Sequence, residues 1–373
     1  MSESSEICII SPYAYSYLSE GASKRVGGAE RQQYLLAQYL TEVGYNVTFV
    51  VFRDSGPKKE VIDGLSILKS IPRRSRRGFY VSTPAALYAS LSEIDPDLVY
   101  VRGNPMLTIL VGCIGKVRGD TLVYHFANDR DIEFISQPYH PKALLFRQSV
   151  GAYDVVLSQT ESQKSMLNKI GIHSHHVPNT YTVPGKHTIN SFEQRKYVLW
   201  VGRINRKQKQ PHKLLQIADK TPDVEYIMIG PKQDSEYCEK ICKKASEMNN
   251  VRFLGFVEPS KIHEYYKNAI TLVNTSSYEG FPNTFLEAWR CSTPVISMNI
   301  DVDGSLANCK TGVLSKSITN TAQSIRDFRN NPSYWEELSS TSRQHISDNY
   351  SIDKIGPNFA KVIDDVLSEK SSS

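Results

Sequence analysis

The sequence predicts an α/β protein made of two similar halves, each a parallel sheet with helices on both faces. Three observations predict it. The chain has 373 residues, too many for one ordinary domain and suited to two. Short apolar runs alternate with stretches of helical period along most of its length. The alternation lapses once, between Pro178 and Lys196, where Pro178, Pro184, Gly185 and polar residues mark a linker.

The elements follow in order. In EICIISPYA, Ile7 to Ile10 reads as a buried strand. The segment SKRVGGAERQQYLLAQYLTEVGY then brings a Gly27-Gly28 pair and a helical pattern from Ala29, with Tyr34, Leu35, Ala37, Gln38 and Leu40 on one face and Gly44 as its stop. Val47 to Phe52 is the second strand, which completes a βαβ unit. Asp97 to Arg102, Leu122 to Phe126 and Val155 to Ser158 are further strands. After the linker, YVLWVGRI is a strand, HKLLQIADK a helix, and VEYIMIGP, VRFLGFV and ITLVNTSS are strands. TPVISMNI and TGVLSK extend that sheet, and the tail from Tyr334 is helical. The expected division is an N-terminal domain over 1–184, a linker over 185–196, a C-terminal domain over 197–350 and a last helix over 351–373 that crosses back to the first domain.

Composition narrows the function classes. The hydrophobic fraction of 40% can build cores, and the charged fraction of 22% is ordinary for a globular chain. No run of 18 apolar residues appears, so no transmembrane helix is expected. The start, MSESSEICIISPYAY, lacks the basic and apolar regions of a signal peptide, and a cytoplasmic location is expected. The net charge of +5 is mild. With no interleaving of aromatic and basic residues, no nucleic-acid partner is expected. Cys238 and Cys242 are four apart but lack a second Cys or His pair at zinc spacing; all six cysteines read as free thiols and no metal site is expected. His173, His175 and His176 read as a solvated loop patch. IPRRSRRGFY gathers Arg73, Arg74, Arg76 and Arg77. It is either a solvated basic loop or a contact for anionic lipid headgroups, peripheral at the inner membrane face, or for a phosphate-bearing acceptor.

The chemistry centres on SSYEGFPNTFLEAW, Ser276 to Trp289. A strand delivers the chain to a polar loop, Pro282 marks a helix start, and Phe285, Leu286, Ala288 and Trp289 continue as helix. Glu279 then lies at the mouth of the helix and Glu287 inside it. The first amides, at Asn283, Thr284 and Phe285, point out of the helix N-terminus, where a diphosphate can sit. One carboxylate can face the group beyond the phosphates, and the other can bind vicinal hydroxyls such as a ribose.

This segment resembles the E-x7-E motif of retaining GT-B glycosyltransferases, especially glycosyltransferase family 4 (glycosyl transferases group 1). The resemblance implies two Rossmann-like domains facing each other across a cleft. It implies that Glu279 contacts the donor sugar and Glu287 the nucleotide ribose, with Gly280, Phe281, Asn283 and Thr284 at the donor between them. VLWVGRINRKQKQPHKLL resembles the family's strand-G-R-loop-K segment, so Arg203 and Lys209 are the cations expected on the donor diphosphate. Many relatives carry Gly after that lysine; here it is Gln210, and Lys207 competes with Lys209. RVGGAERQ resembles the N-terminal glycine loop, with Gly27 and Gly28 close to the phosphates. FLGFVEPSKIHEYY resembles the loop that holds the base, flanked by Phe256 and Val257. In LVYHFANDRDIE, His125 matches a histidine near the donor sugar, acting in sugar contact or in backbone support, and Asn128, Asp129 and Arg130 shape the acceptor side. NIDVDGSLANCKTG departs from the glycine-rich loop of relatives.

The implied reaction moves a sugar from a nucleoside diphosphate sugar to a hydroxyl of a sugar, glycan or lipid-linked acceptor, with retention and without metal or other cofactor. It would serve glycan, polysaccharide or glycolipid synthesis. Glu279, His125, Arg203 and Lys209 are the catalytic residues expected. The alternatives are a non-catalytic scaffold of this fold and a nucleotide-sugar epimerase.

Overall fold

The computed structural model describes residues 4–18, 27–73, 76–183, 190–232 and 235–371. The chain divides into two compact units, residues 1–180 with 352–373, and residues 181–351.

The first unit carries strands β1 (Glu6–Ile10), β2 (Asn46–Phe52), β3 (Lys59–Ile62), β4 (Leu65–Ile71), β5 (Leu98–Arg102), β6 (Leu122–His125), β7 (Val155–Ser158) and β8 (His175–His176). Their order is β3-β4-β2-β1-β5-β6-β7-β8. Every neighbouring pair is parallel except β3 with β4. Strand side chains alternate between faces. Ile7, Ile9, Phe49, Leu98, Tyr100 and Val123 therefore share one core with the helices Gly28–Glu42 and Ile352–Ser371. Cys8, Ile10, Val50, Val99, Val101 and Tyr124 share the other with Leu91, Val111 and Phe146 of three further helices. Each such buried apolar side chain contributes roughly 1.5–3 kcal/mol. Gly356 lets the last helix approach closely, since a Cβ there would stand 2.5 Å from the Tyr39 ring.

Three sequence expectations change here. The hairpin β3–β4 was not anticipated. It turns on Asp63 (φ 51°) and Gly64 (φ 78°), the left-handed pair that a two-residue hairpin needs. The basic stretch is not a loop throughout: a helix, Arg76–Ile94, begins inside it. Arg73 pairs with Asp54 at 3.0 Å, while Arg74 and the side chains of Arg76 and Arg77 lie outside the described residues. His175 and His176 form the short β8 beside β7 rather than a loop, while His173 and His175 are exposed as expected.

The second unit is a parallel sheet of β9 (Tyr197–Val201), β10 (Tyr226–Ile229), β11 (Val251–Gly255), β12 (Ala269–Asn274), β13 (Val295–Ser297) and β14 (Gly312–Leu314), ordered β11-β10-β9-β12-β13-β14. Val198, Trp200, Tyr226 and Met228 face one helical layer, and Tyr197, Leu199, Ile227 and Leu272 face the other. Connections run to opposite sides of β9 and β12, so the crevice at their carboxyl ends is a topological switch point. Arg195, assigned to the linker from sequence, is a buried staple. It donates to the carbonyls of Tyr266, Ala269, Cys291 and Ser292 and to Thr293 Oγ1, and lies over the Trp335 ring. Burial pulls its pKa down to about 10.

Among the described residues, no helix is long and apolar enough to cross a membrane.

Candidate functional site

In the second unit, two loops at the carboxyl ends of β9 and β12 are tied together residue by residue. Asn205 Oδ1 accepts from the amides of Gln208 and Lys209, both at 2.9 Å, which curls the loop after β9. Ser277 N donates to Gln208 O at 2.9 Å, Ser277 Oγ to Lys207 O at 2.6 Å, and Thr275 Oγ1 to Lys209 O at 2.6 Å. Trp200 Nε1 holds Thr275 Oγ1 from within the core at 3.0 Å.

This stitching sets one ion pair. Lys209 Nζ lies 2.5 Å from Glu279 Oε1, and its stem passes over Gly202, where a Cβ would come within 3.2 Å of it. Ser276 Oγ donates to the same carboxylate oxygen at 2.7 Å and Gln208 Nε2 to the other at 3.2 Å. It is Lys209, not the exposed Lys207, whose ammonium reaches Glu279. Gln210 follows in the left-handed region (φ 47°, ψ 52°) and begins the helix Pro211–Lys220. That conformation favours glycine, which is the residue many relatives carry there. Arg203 is exposed and forms no ion pair among the described residues.

Glu287 sits on the helix Asn283–Arg290. It is buried, and its Oε2 accepts from Tyr266 OH at 2.5 Å. The neighbouring residues Phe285, Leu286, Ala288 and Trp289 pack into the core and fix the helix. Pro282 caps this helix without a side-chain bond. The amide of Phe285 donates to Pro282 O at 3.0 Å. This corrects the expectation of three outward amides: Phe285 is not one of them. Phe281 is buried edge-on against Tyr350, whereas Gly280, Asn283 and Thr284 are half-buried beside it. Phe256 and Val257 are half-buried just past β11, after Gly255 at φ 72°. Asp301, of the Asp-Val-Asp sequence, accepts from the amides of Leu306 and Ala307 and so shapes its own turn.

In the first unit, Gly27 caps the helix Gly28–Glu42. A Cβ at Gly27 would lie 2.0 Å from Glu30 Oε2, so the Glu30 carboxylate folds over the first turn. His125 ends β6 fully buried. Its Nδ1 meets Tyr100 OH at 2.9 Å and Arg102 Nη1 at 3.2 Å. Burial first, and the Arg102 charge second, push its pKa well down, so the ring is neutral with Nδ1 as acceptor. Asn128 caps the helix Asp129–Ile135 through Asp131 N at 3.1 Å, and burial raises the Asp131 carboxyl to about 6. Asp129 accepts from Gln163 at 2.8 Å.

Sequence reasoning missed Gln208, Ser276, Tyr266 and Arg102. Arg102 carried a signal, a charged residue closing an apolar strand; the others become visible only through their partners.

Known proteins share this fold. The family described as Glycosyl transferases group 1 matches residues 186–345, and Glycosyltransferase Family 4 matches residues 26–181. An uncharacterized glycosyltransferase of Methanocaldococcus jannaschii is 24% identical over 251 residues, which is 60% of this chain and 58% of that protein. Sucrose-phosphate synthase from Thermosynechococcus elongatus superposes with a TM-score of 0.79 at 16% identity, over 98% of this chain and 100% of the other. HepE of Anabaena, solved in complex with UDP-glucose, gives 0.74 at 16% identity, over 97% and 100%. With one family match on each parallel α/β unit, the chain belongs to the GT-B glycosyltransferases.

Proposed function

We propose that the chain transfers a sugar from a nucleoside diphosphate sugar to an acceptor hydroxyl with retention of configuration, without a metal. The observation that carries this reading is the clamp on Glu279: Lys209, Ser276 and Gln208 hold its carboxylate at the mouth of the helix that carries Glu287. A donor diphosphate competes for Lys209 and for Arg203, and releases Glu279 to the sugar hydroxyls. Glu287 binds the ribose, Phe256 and Val257 flank the base, and Gly27 and Gly28 approach the phosphates. The anomeric carbon–phosphate oxygen bond breaks while the acceptor oxygen bonds on the same face, and the acceptor proton passes to the leaving phosphate. Arg203, Lys209 and the amides of Asn283 and Thr284 stabilise the charge on that leaving group. His125 supports the donor side of the first unit as a neutral acceptor. The solved complex of HepE with UDP-glucose makes UDP-sugars the first donors to try.

The test is calorimetry of UDP, GDP and ADP without metal on wild type and Glu287→Ala. One diphosphate should bind, and bind at least tenfold more weakly to the variant. If none binds, with or without magnesium, the reading fails.

We further propose that acceptors are sugars, glycans or lipid-linked sugars, met by a cytoplasmic enzyme at the membrane face through Arg73, Arg74, Arg76 and Arg77. Replacing the four by Ser should reduce sedimentation with anionic vesicles; unchanged sedimentation removes the membrane contact.

A further inference from the structure

One row of polar residues in the first unit holds, beside His125, three residues that the donor chemistry does not use: Ser11, Gln33 and Arg102. On the sheet face beneath the helix Gly28–Glu42, apolar rows run across three strands, with Ile9 beside Tyr100 and Tyr100 beside Val123. Two residues further along, the same face becomes polar. Arg102 pairs in register with His125, and Ser11 follows β1 and bonds Gln33 Oε1 on the helix at 2.7 Å. All are buried: Ser11 is 4% exposed, Gln33 2%, Arg102 5% and His125 0%. The row lies where β1 adjoins β5, with connections leaving to opposite sides, which is the switch point of this sheet.

The unmatched atoms here are donors. Gln33 Nε2 and Arg102 Nε are both buried and have no acceptor among the described residues. The rest of the guanidinium meets only neutral groups, the Nδ1 of His125, Asn179 Oδ1 and the Tyr100 phenol. Arg102 forms no ion pair among the described residues, and Glu30 acts on it only through space. A buried cation without a hydrogen-bonded anion is costly, and a fork of guanidinium donors is best matched by a carboxylate or phosphate.

We propose that Gln33 and Arg102 form the seat of an anionic group, a phosphate or a carboxylate, carried by the acceptor. The assignment to the acceptor rests on the transferase reading; the anion pocket itself does not.

The test measures binding by calorimetry with inorganic phosphate, glucose 6-phosphate, glucuronate and glucose as probes. The proteins are wild type, Gln33→Leu, Arg102→Met, Arg102→Lys and Glu287→Ala. At least one anion should bind wild type and Glu287→Ala alike, and bind Gln33→Leu and Arg102→Met at least tenfold more weakly, with Arg102→Lys between. Glucose 6-phosphate or glucuronate should exceed glucose by at least tenfold if the acceptor carries the anion; phosphate alone would assign the pocket to the free ion and overturn the acceptor claim. Binding lost only in Glu287→Ala places the anion in the donor site and overturns the proposal, as does no binding by any anion. Should Arg102→Met not fold, Gln33→Leu, which leaves the Arg102–Asn179 bond intact, decides alone. If nucleoside diphosphates fail to bind while an anion binds at Arg102, the transferase reading falls and the pocket stands.

Discussion

Tyr266 and Glu287, 21 residues apart on neighbouring helices, meet in a hydrogen bond of 2.5 Å from the phenol to the carboxylate. Tyr266 is fully buried and Glu287 nearly so, and the bond holds the Glu287 carboxylate in one orientation. Bonds to charged groups are worth about 1.5–3 kcal/mol. Tyr266→Phe should therefore weaken nucleoside diphosphate binding about tenfold. A 2′,3′-dideoxy diphosphate should bind the two proteins equally. Calorimetry checks both, and equal affinity for the natural diphosphate sinks the idea.

The Lys209–Glu279 pair predicts energetic coupling. The side chains are 17% and 10% exposed, so removing one partner strands a largely desolvated charge. Lys209→Met and Glu279→Gln should each destabilise by roughly 1–3 kcal/mol, and the double variant by less than their sum. Urea unfolding of the four proteins measures this, and strict additivity would show that the pair contributes nothing.

Gln210 at φ 47° holds a backbone state that costs an L-residue about 1–2 kcal/mol. Gln210→Gly should raise stability by a few tenths to about 1 kcal/mol, whereas Gln210→Val should lower it by more than about 1 kcal/mol. A Val variant as stable as wild type in thermal unfolding would refute the strain.

Asp131 sets a pH dependence. Burial raises its folded pKa to about 6 from 3.8, partly opposed by the Asn128 bond. The folded state therefore holds the proton more tightly than the unfolded one. Its contribution is most favourable below pH 3.8 and is lost as pH rises through 6. Asp131→Asn should thus gain on wild type by up to about 3 kcal/mol between pH 4 and pH 7. Unfolding free energies at both values give the difference, and a constant gap would contradict it.

Much of the fold was legible because parallel strands are buried on both faces and read as unbroken apolar runs. The five strands expected in the first half start or end within a residue of β1, β2, β5, β6 and β7. The edge hairpin was not read, although Asp63-Gly64 between alternating residues is its signal; β3 is half exposed and lacks the apolar run that marked the others. The strand, loop and helix start that carry Glu279 and Glu287 were legible because each is a local pattern, while the roles given to the two glutamates came from the motif's resemblance.

The sequence by itself determined two α/β units, the helix that carries Glu287 and the loop that carries Glu279, since these follow from local pattern and chain direction. Only the tertiary structure decided that Lys209 rather than Lys207 meets Glu279, that Tyr266 holds Glu287, and that Arg102, Gln33 and His125 share one buried row. Each of these joins residues from separate elements, and their partners are set by sheet order and register, which no single stretch of chain encodes.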